Sequence, residues 1–133
     1  MRYVFADSFY FLAILNPRDS AHGQAILLSE ELSGRPLLTT EAVLLEVADA
    51  LCRPPAREGT ADYLRHLRVS STVTVIPGGE ELFEEGLDLY EARSDKNWSL
   101  TDCISFVVME REGVTEALTG DRQFAQAGFQ PLF

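Results

Sequence analysis

Four carboxylates, Asp7, Glu46, Asp102 and Asp121, stand either where a strand hands over to a helix or inside a mainly apolar helix. The β-type run Tyr3-Val4-Phe5-Ala6-Asp7-Ser8 ends abruptly in an acid and a hydroxyl, and Glu116-Ala117-Leu118-Thr119-Gly120-Asp121 ends the same way. In an open parallel sheet the carboxyl ends of the strands line one crevice, so acids at two strand ends can meet despite their separation in sequence. Clustered carboxylates repel one another, and a hard divalent cation relieves the repulsion. The chemistry this pattern points to is a Mg²⁺ or Mn²⁺ site acting on phosphoryl groups.

Positioning such acids takes an alternation of strands and helices, and the chain has one. Residues 3–7 read as a strand, and Ser8 to Leu15 as an apolar helix stopped by Asn16-Pro17. Asp19-Ser20 opens a second helix that ends near Ser33-Gly34, and Pro36 to Thr40 forms the second strand. Thr40 caps a helix through Leu51 that Pro54-Pro55 ends, and Thr60 starts another that runs to Arg68. Val73 to Pro77 is the third strand, followed by an amphipathic helix with acids on its wet side. Ser99 opens a nearly all-apolar helix closed at Gly113. A strand ending at Thr119, a short helix around Phe124 and a last strand, Gln130 to Phe133, complete the chain. This order predicts an α/β fold with a mostly parallel sheet of about five strands flanked by helices on both faces.

The 133 residues, 46% of them hydrophobic, predict one domain over 1–133 with a substantial core. No apolar run approaches the roughly 18 residues of a membrane span, and the N-terminus opens on a strand rather than a leader, so a cytoplasmic protein without membrane attachment is expected. Cys52 and Cys103 have no metal-type or redox-type spacing and read as reduced thiols, and His22 and His66 lack ligand spacing. No GxGxxG or P-loop occurs, which excludes the usual nucleotide-binding folds. A phosphoacceptor receiver domain would carry an Asp after the third strand and a Lys near the last. Val75-Ile76-Pro77-Gly78-Gly79 has no acid, and the one lysine is Lys96.

Each acid also has a local explanation. Asp7 and Asp121 can cap the helices that follow them, Ser99-x-x-Asp102 has the form of a capping box, and Glu46 shares a helix stripe with Asp49 and Arg53 and can face water.

Taken together, the segments resemble a known family. Phe5-Ala6-Asp7-Ser8, Thr39-Thr40-Glu41-Ala42-Val43-Leu44-Leu45-Glu46, the stretch from Asp95 to Phe106 and Leu118-Thr119-Gly120-Asp121-Arg122-Gln123-Phe124 are similar, in order and spacing, to the four acid-bearing segments of PIN-domain ribonucleases. Within that family the chain resembles the VapC-type toxins of bacterial toxin–antitoxin pairs. Phe9 and Gln123 depart from the usual residues at their places. The resemblance implies a PIN-like three-layer sandwich and a metal-dependent endoribonuclease, with Asp7, Asp102 and Asp121 holding one or two Mg²⁺ or Mn²⁺ ions and Glu46 acting beside them. Ser8, Thr101 and Thr119 would support the carboxylates or contact phosphate. The resemblance further implies an RNA substrate, a small antitoxin that blocks the acidic crevice, and a homodimer for which Phe9, Phe11, Leu12 and Ile14 offer an apolar surface. A catalytically silent PIN-like binding module is the alternative.

Charge argues against a polyanionic substrate, since 21 acids against 11 bases leave a net charge of −10. The excess is localised. Six acids fall between Glu80 and Glu91 with no base among them, and bound cations would offset more. Arg93 and Lys96, next to the third acid segment, are the nearest candidates for phosphate contacts, with Arg53, Arg57, Arg65 and Arg68 further off. Trp98 reads as a hydrophobic anchor for the following helix rather than a base-stacking platform.

Overall fold

The computed structural model describes residues 2–133. The elements are β1 (Val4–Ala6), α1 (Ser8–Leu15), α2 (His22–Glu31), β2 (Leu37–Thr40), α3 (Glu41–Ala50), α4 (Ala56–Val69), β3 (Val73–Ile76), α5 (Glu80–Ala92), α6 (Leu100–Glu112), β4 (Glu116–Leu118), α7 (Arg122–Gln126) and β5 (Gln130–Pro131). The five strands form one sheet in the order β3-β2-β1-β4-β5, and every neighbouring pair is parallel. Val4, Phe5 and Ala6 of β1 are all fully buried. Successive strand side chains point to opposite faces, so both faces of the sheet centre are covered, as a three-layer α/β sandwich requires.

The order reverses at β1. From there the chain moves through β2 and β3 on one side and returns to place β4 and β5 on the other, so the β1–β4 boundary is the switch point at whose carboxyl end a crevice opens. Ala6 pairs with Leu118 in register, which brings the ends of both strands side by side. Beneath them Phe5 and Phe124 lie 6.1 Å apart, and Phe106 meets Phe124 and Trp98 edge-on at 5.0 Å each, tying β1, α6 and α7 into one core. Helices α5 and α6 approach so closely that a Cβ on Gly86 would stand 2.5 Å from Ile104 Cγ1.

Several boundaries differ from the sequence expectation. Helix α4 opens at Ala56 instead of Thr60, because Pro55 can stand just ahead of a helix, where a backbone N–H has no partner to lose. Asp19 does not begin α2; its Oδ1 accepts from the Ala21 N–H at 2.8 Å and shapes a turn before His22. Helix α1 is not an exposed apolar surface. Phe11 is fully buried, while Leu12 and Ile14 pack against the core. The large apolar side chains on the surface are elsewhere, among them Leu45 on α3 and Phe83, Leu87 and Tyr90 on α5. No helix among the described residues is long and apolar enough to cross a membrane.

Candidate active site

Asp7 follows β1 directly and is 3% exposed. It occupies the N-cap position of α1, yet its side chain makes no capping hydrogen bond, so local capping does not account for it. Its partner comes from the neighbouring strand end instead: the buried Thr119 hydroxyl donates to Asp7 Oδ2 at 2.9 Å. The same Thr119 oxygen accepts from the Asp121 backbone N–H at 3.0 Å, so one hydroxyl joins the first and fourth acids. On the other flank, buried Thr39 donates to the Ala6 carbonyl at 2.8 Å and fastens β2 to the end of β1.

Glu46 arrives on α3, whose start is fixed by Thr40 Oγ1 accepting from the Val43 N–H at 3.1 Å. Ser8 Oγ donates to Glu46 Oε1 at 2.5 Å and draws that carboxylate toward the Asp7 side of the crevice. Asp102 enters from α6. There the capping box is fully formed, with Asp102 Oδ2 accepting from the Ser99 N–H at 3.1 Å and Ser99 Oγ accepting from the Asp102 N–H at 3.0 Å. Asp121 Oδ1 accepts from the Gln123 N–H at 3.1 Å and caps α7. For these two acids the local role is real.

The convergence shows in the electrostatics. Burial pushes the Asp7 carboxyl up to about 7; the Thr119 hydroxyl and the Ser8 backbone pull it back, and the charges of Asp102 and Glu46 push it further up. Asp102 is raised chiefly by burial, opposed by its bond to the Ser99 backbone and reinforced by Asp121 and Glu46. Asp7 thus feels the charges of Asp102 and Glu46, and Asp102 those of Asp121 and Glu46. Among the described residues none of the four pairs with an arginine or lysine, since the ion pairs join other acids. Among the described residues, too, no three His, Cys, Asp or Glu side chains stand close enough to clasp one ion in their present rotamers. Outside Asp7 each carboxylate is engaged by a hydrogen bond, Glu46 to the Ser8 hydroxyl, Asp102 to the Ser99 backbone and Asp121 to the Gln123 backbone. Asp7, buried and without a cationic partner, and the three carboxylates of Glu46, Asp102 and Asp121 are nevertheless hard oxygen donors of the kind that suit Mg²⁺ or Mn²⁺.

Thr101, in the first turn of α6, lines a cleft of about 470 Å³ together with Glu46, Glu41 and Asp49, so it faces the side of the site that Glu46 reaches. Arg93 and Lys96 are not drawn to the acids. Arg93 makes a two-pronged pair with Asp95 at 3.0 and 3.1 Å and lies over the Trp98 ring at 5.0 Å, and Lys96 Nζ stands 4.0 Å from Asp95. Trp98 is buried and donates to Gln126 Oε1 at 3.0 Å, as an anchor should. Sequence reasoning passed over Thr39 and Glu41. Glu41 Oε1 accepts from the Gly78 N–H at 2.6 Å and ties the end of β3 to α3. The Thr39-Thr40-Glu41 run of polar residues at a strand end was the available signal.

Comparison with known proteins agrees with this geometry. The PIN domain family profile matches residues 4–130. The chain is 27% identical over 126 residues to the 23S rRNA-specific endonuclease VapC20 of Mycobacterium tuberculosis, covering 95% of each protein. The crystal structure of that protein, described as a sarcin–ricin loop cleaving toxin, superposes with a TM-score of 0.85 over 95% of both chains. FitAcB from Neisseria gonorrhoeae, at 11% identity, gives a TM-score of 0.67 over 98% of this chain and 96% of its own. VapBC2 from Rickettsia felis, bound to a DNA fragment from its promoter, gives 0.66 at 13% identity over the same shares. These two likenesses concern the fold alone. With its profile match spanning nearly the whole chain and an all-parallel five-stranded sheet whose β1–β4 switch point carries Asp7, this chain belongs to the PIN-domain family.

Proposed function

We propose that this chain is a metal-dependent endoribonuclease that hydrolyses RNA phosphodiester bonds and serves as the toxin of a toxin–antitoxin pair. The observation that carries the reading is Asp7, a buried carboxylate without a cationic partner, coupled to Glu46 and Asp102 at the fold's switch point. Asp7, Asp102 and Asp121, with Glu46 beside them, are the residues that would hold one or two Mg²⁺ or Mn²⁺ ions. Such ions supply neutralisation of phosphate charge and a lowered pKa for attacking water. The chain's own residues prepare the rest. Thr119 fixes the orientation of Asp7, Ser8 holds Glu46 where it can accept a proton from water, and Thr101 offers a hydroxyl to phosphate on the Glu46 side. Arg93 and Lys96 would have to leave Asp95 to reach a phosphate, so their part in RNA binding is secondary.

RNA as substrate is supported by the rRNA-specific relative, and an antitoxin partner by the VapBC2 neighbour. A small antitoxin with a basic side chain would complement the unpaired acids. Homodimerisation belongs to the same proposal, and the exposed Leu45, Phe83, Leu87 and Tyr90 offer it a better surface than α1. A cytoplasmic location follows from this role. The realised caps at Asp102 and Asp121 favour a second reading, a catalytically silent PIN-like module, because a module without catalysis would keep them too. Incubating purified protein with a sarcin–ricin hairpin and unrelated structured RNAs, in Mg²⁺ or in EDTA, separates the two. Cleavage in Mg²⁺ alone supports the enzyme; intact RNA in both supports the silent module.

A further inference from the structure

Phe9 comes two residues after Asp7, in the first turn of α1, and is half-buried. Its ring edge bears on Gly120: a Cβ there would stand 2.6 Å from Phe9 Cζ and 3.0 Å from Cε2, closer than side chains approach one another. The same ring meets Phe133 edge-on at 5.0 Å. Phe133 in turn donates its backbone N–H to the Thr119 carbonyl at 3.3 Å, and Leu132 donates to Ala117 at 3.0 Å. Ring, glycine and the segment Leu132-Phe133 after β5 therefore enclose the turn Thr119-Gly120-Asp121, the turn whose hydroxyl links Asp7 to Asp121.

We infer that Phe9 is a positioning residue for the acid site, its ring bearing on Gly120 to hold the Thr119-Gly120-Asp121 turn at the spacing that presents Asp7 and Asp121 together. A phenyl ring offers no ligand to a cation and no partner to a phosphate, so it acts through shape. Gly120 is the complementary half of the device, because only a residue without Cβ admits the ring. The inference rests on the metal-dependent reading above.

Isothermal titration with Mn²⁺ on the parent, Phe9→Ala, Phe9→Leu, Gly120→Ala and the double variant Phe9→Ala/Gly120→Ala tests it, with kcat and KM on a cleaved RNA alongside. Loss of a group that orients ligands weakens metal binding by about 10- to 100-fold. Phe9→Ala is expected to fall in that range and to lower kcat with KM unchanged, while Phe9→Leu keeps most of the parent's affinity. Gly120→Ala weakens Mn²⁺ binding because its methyl meets the ring, and the double variant binds no more weakly than Phe9→Ala because without the ring the methyl meets nothing. Equal Mn²⁺ affinity in parent and Phe9→Ala overturns the inference, as does a double variant in which the losses of the two single variants add. A raised KM with unchanged Mn²⁺ affinity overturns it too, by making the ring a platform for an RNA base. Should Phe9→Ala not fold, Phe9→Leu and Gly120→Ala still decide, and equal Mn²⁺ affinity in parent and Gly120→Ala then overturns the inference. A parent that binds no Mn²⁺ removes the metal reading itself, and this inference with it.

Discussion

Thr119 reaches across 112 residues of sequence to donate its hydroxyl to Asp7 Oδ2 at 2.9 Å. The bond exists because β1 and β4 are neighbours with Ala6 opposite Leu118, so the residues just beyond the two strands share one corner of the crevice. It also opposes the effect of burial on Asp7, since a donor favours the charged form.

Thr119→Val keeps the shape and removes the donor. The expected result is a metal-binding transition displaced to higher pH, because the Asp7 carboxyl then gives up its proton less readily. Hydrogen bonds to charged groups contribute about 1.5–3 kcal/mol, so at neutral pH Mn²⁺ affinity should drop by roughly ten- to a hundredfold. Titrations with Mn²⁺ at pH 6, 7 and 8 measure this, and a pH profile identical to the parent's would show that Thr119 does not act on Asp7.

Metal-free stability should carry the signature of Asp7. Its carboxyl titrates near 3.8 when exposed and near 7 in the fold, so between those values the folded state holds a proton that the unfolded chain has released. Stability from this group is therefore complete below about pH 4 and lost as pH rises toward 7. Burial raises Asp102 in the same direction. In EDTA, the difference in melting temperature between parent and Asp7→Asn should move against the parent from pH 4 to pH 7.5. A constant difference across that range would mean that Asp7 is not protonated in the fold.

The two realised helix caps make the acids respond differently to removal. Asp102→Ala destroys the Ser99 capping box and should cost about 0.5–2 kcal/mol without metal, whereas Asp7→Asn removes a desolvated charge that caps nothing and should leave the metal-free protein as stable or more so at pH 7.5. Excess Mn²⁺ should stabilise the parent by roughly 2.7 kcal/mol at one hundred times its Kd, and both variants should lose most of that gain. Thermal melts with EDTA and with Mn²⁺ provide the comparison. Equal Mn²⁺ shifts in all three proteins would place the cation elsewhere.

The local signals in the sequence were reliable where local chemistry decides the outcome. The Ser99 capping box, the Thr40 cap and the left-handed stop at Gly113 all stand where residue type predicts them. Strand ends marked by Asp7 and Thr119 were legible because a β-type run broken by a polar residue survives any tertiary arrangement. What the sequence did not reveal depends on partners distant along the chain. The burial of Phe11 requires the sheet and its neighbouring helices to be in place, and the fit of Phe9 against Gly120 joins residues more than a hundred positions apart. Arg93 and Lys96 illustrate a different limit. Proximity to the third acid segment suggests a phosphate contact, while within the fold both side chains lie beside the exposed Asp95.

The central claim is that the acids around Asp7 act with a divalent cation to cleave RNA, and single-turnover cleavage tests it most directly. Parent, Asp7→Asn and Asp102→Asn would each be incubated with a labelled RNA hairpin in Mg²⁺, in Mn²⁺ and in EDTA. The account predicts cleavage by the parent in either metal, none in EDTA, and a rate at least about a hundredfold lower in both variants, the scale of a lost electrostatic contact in an active site. Cleavage by Asp7→Asn at close to the parent's rate, or by the parent in EDTA, would contradict it.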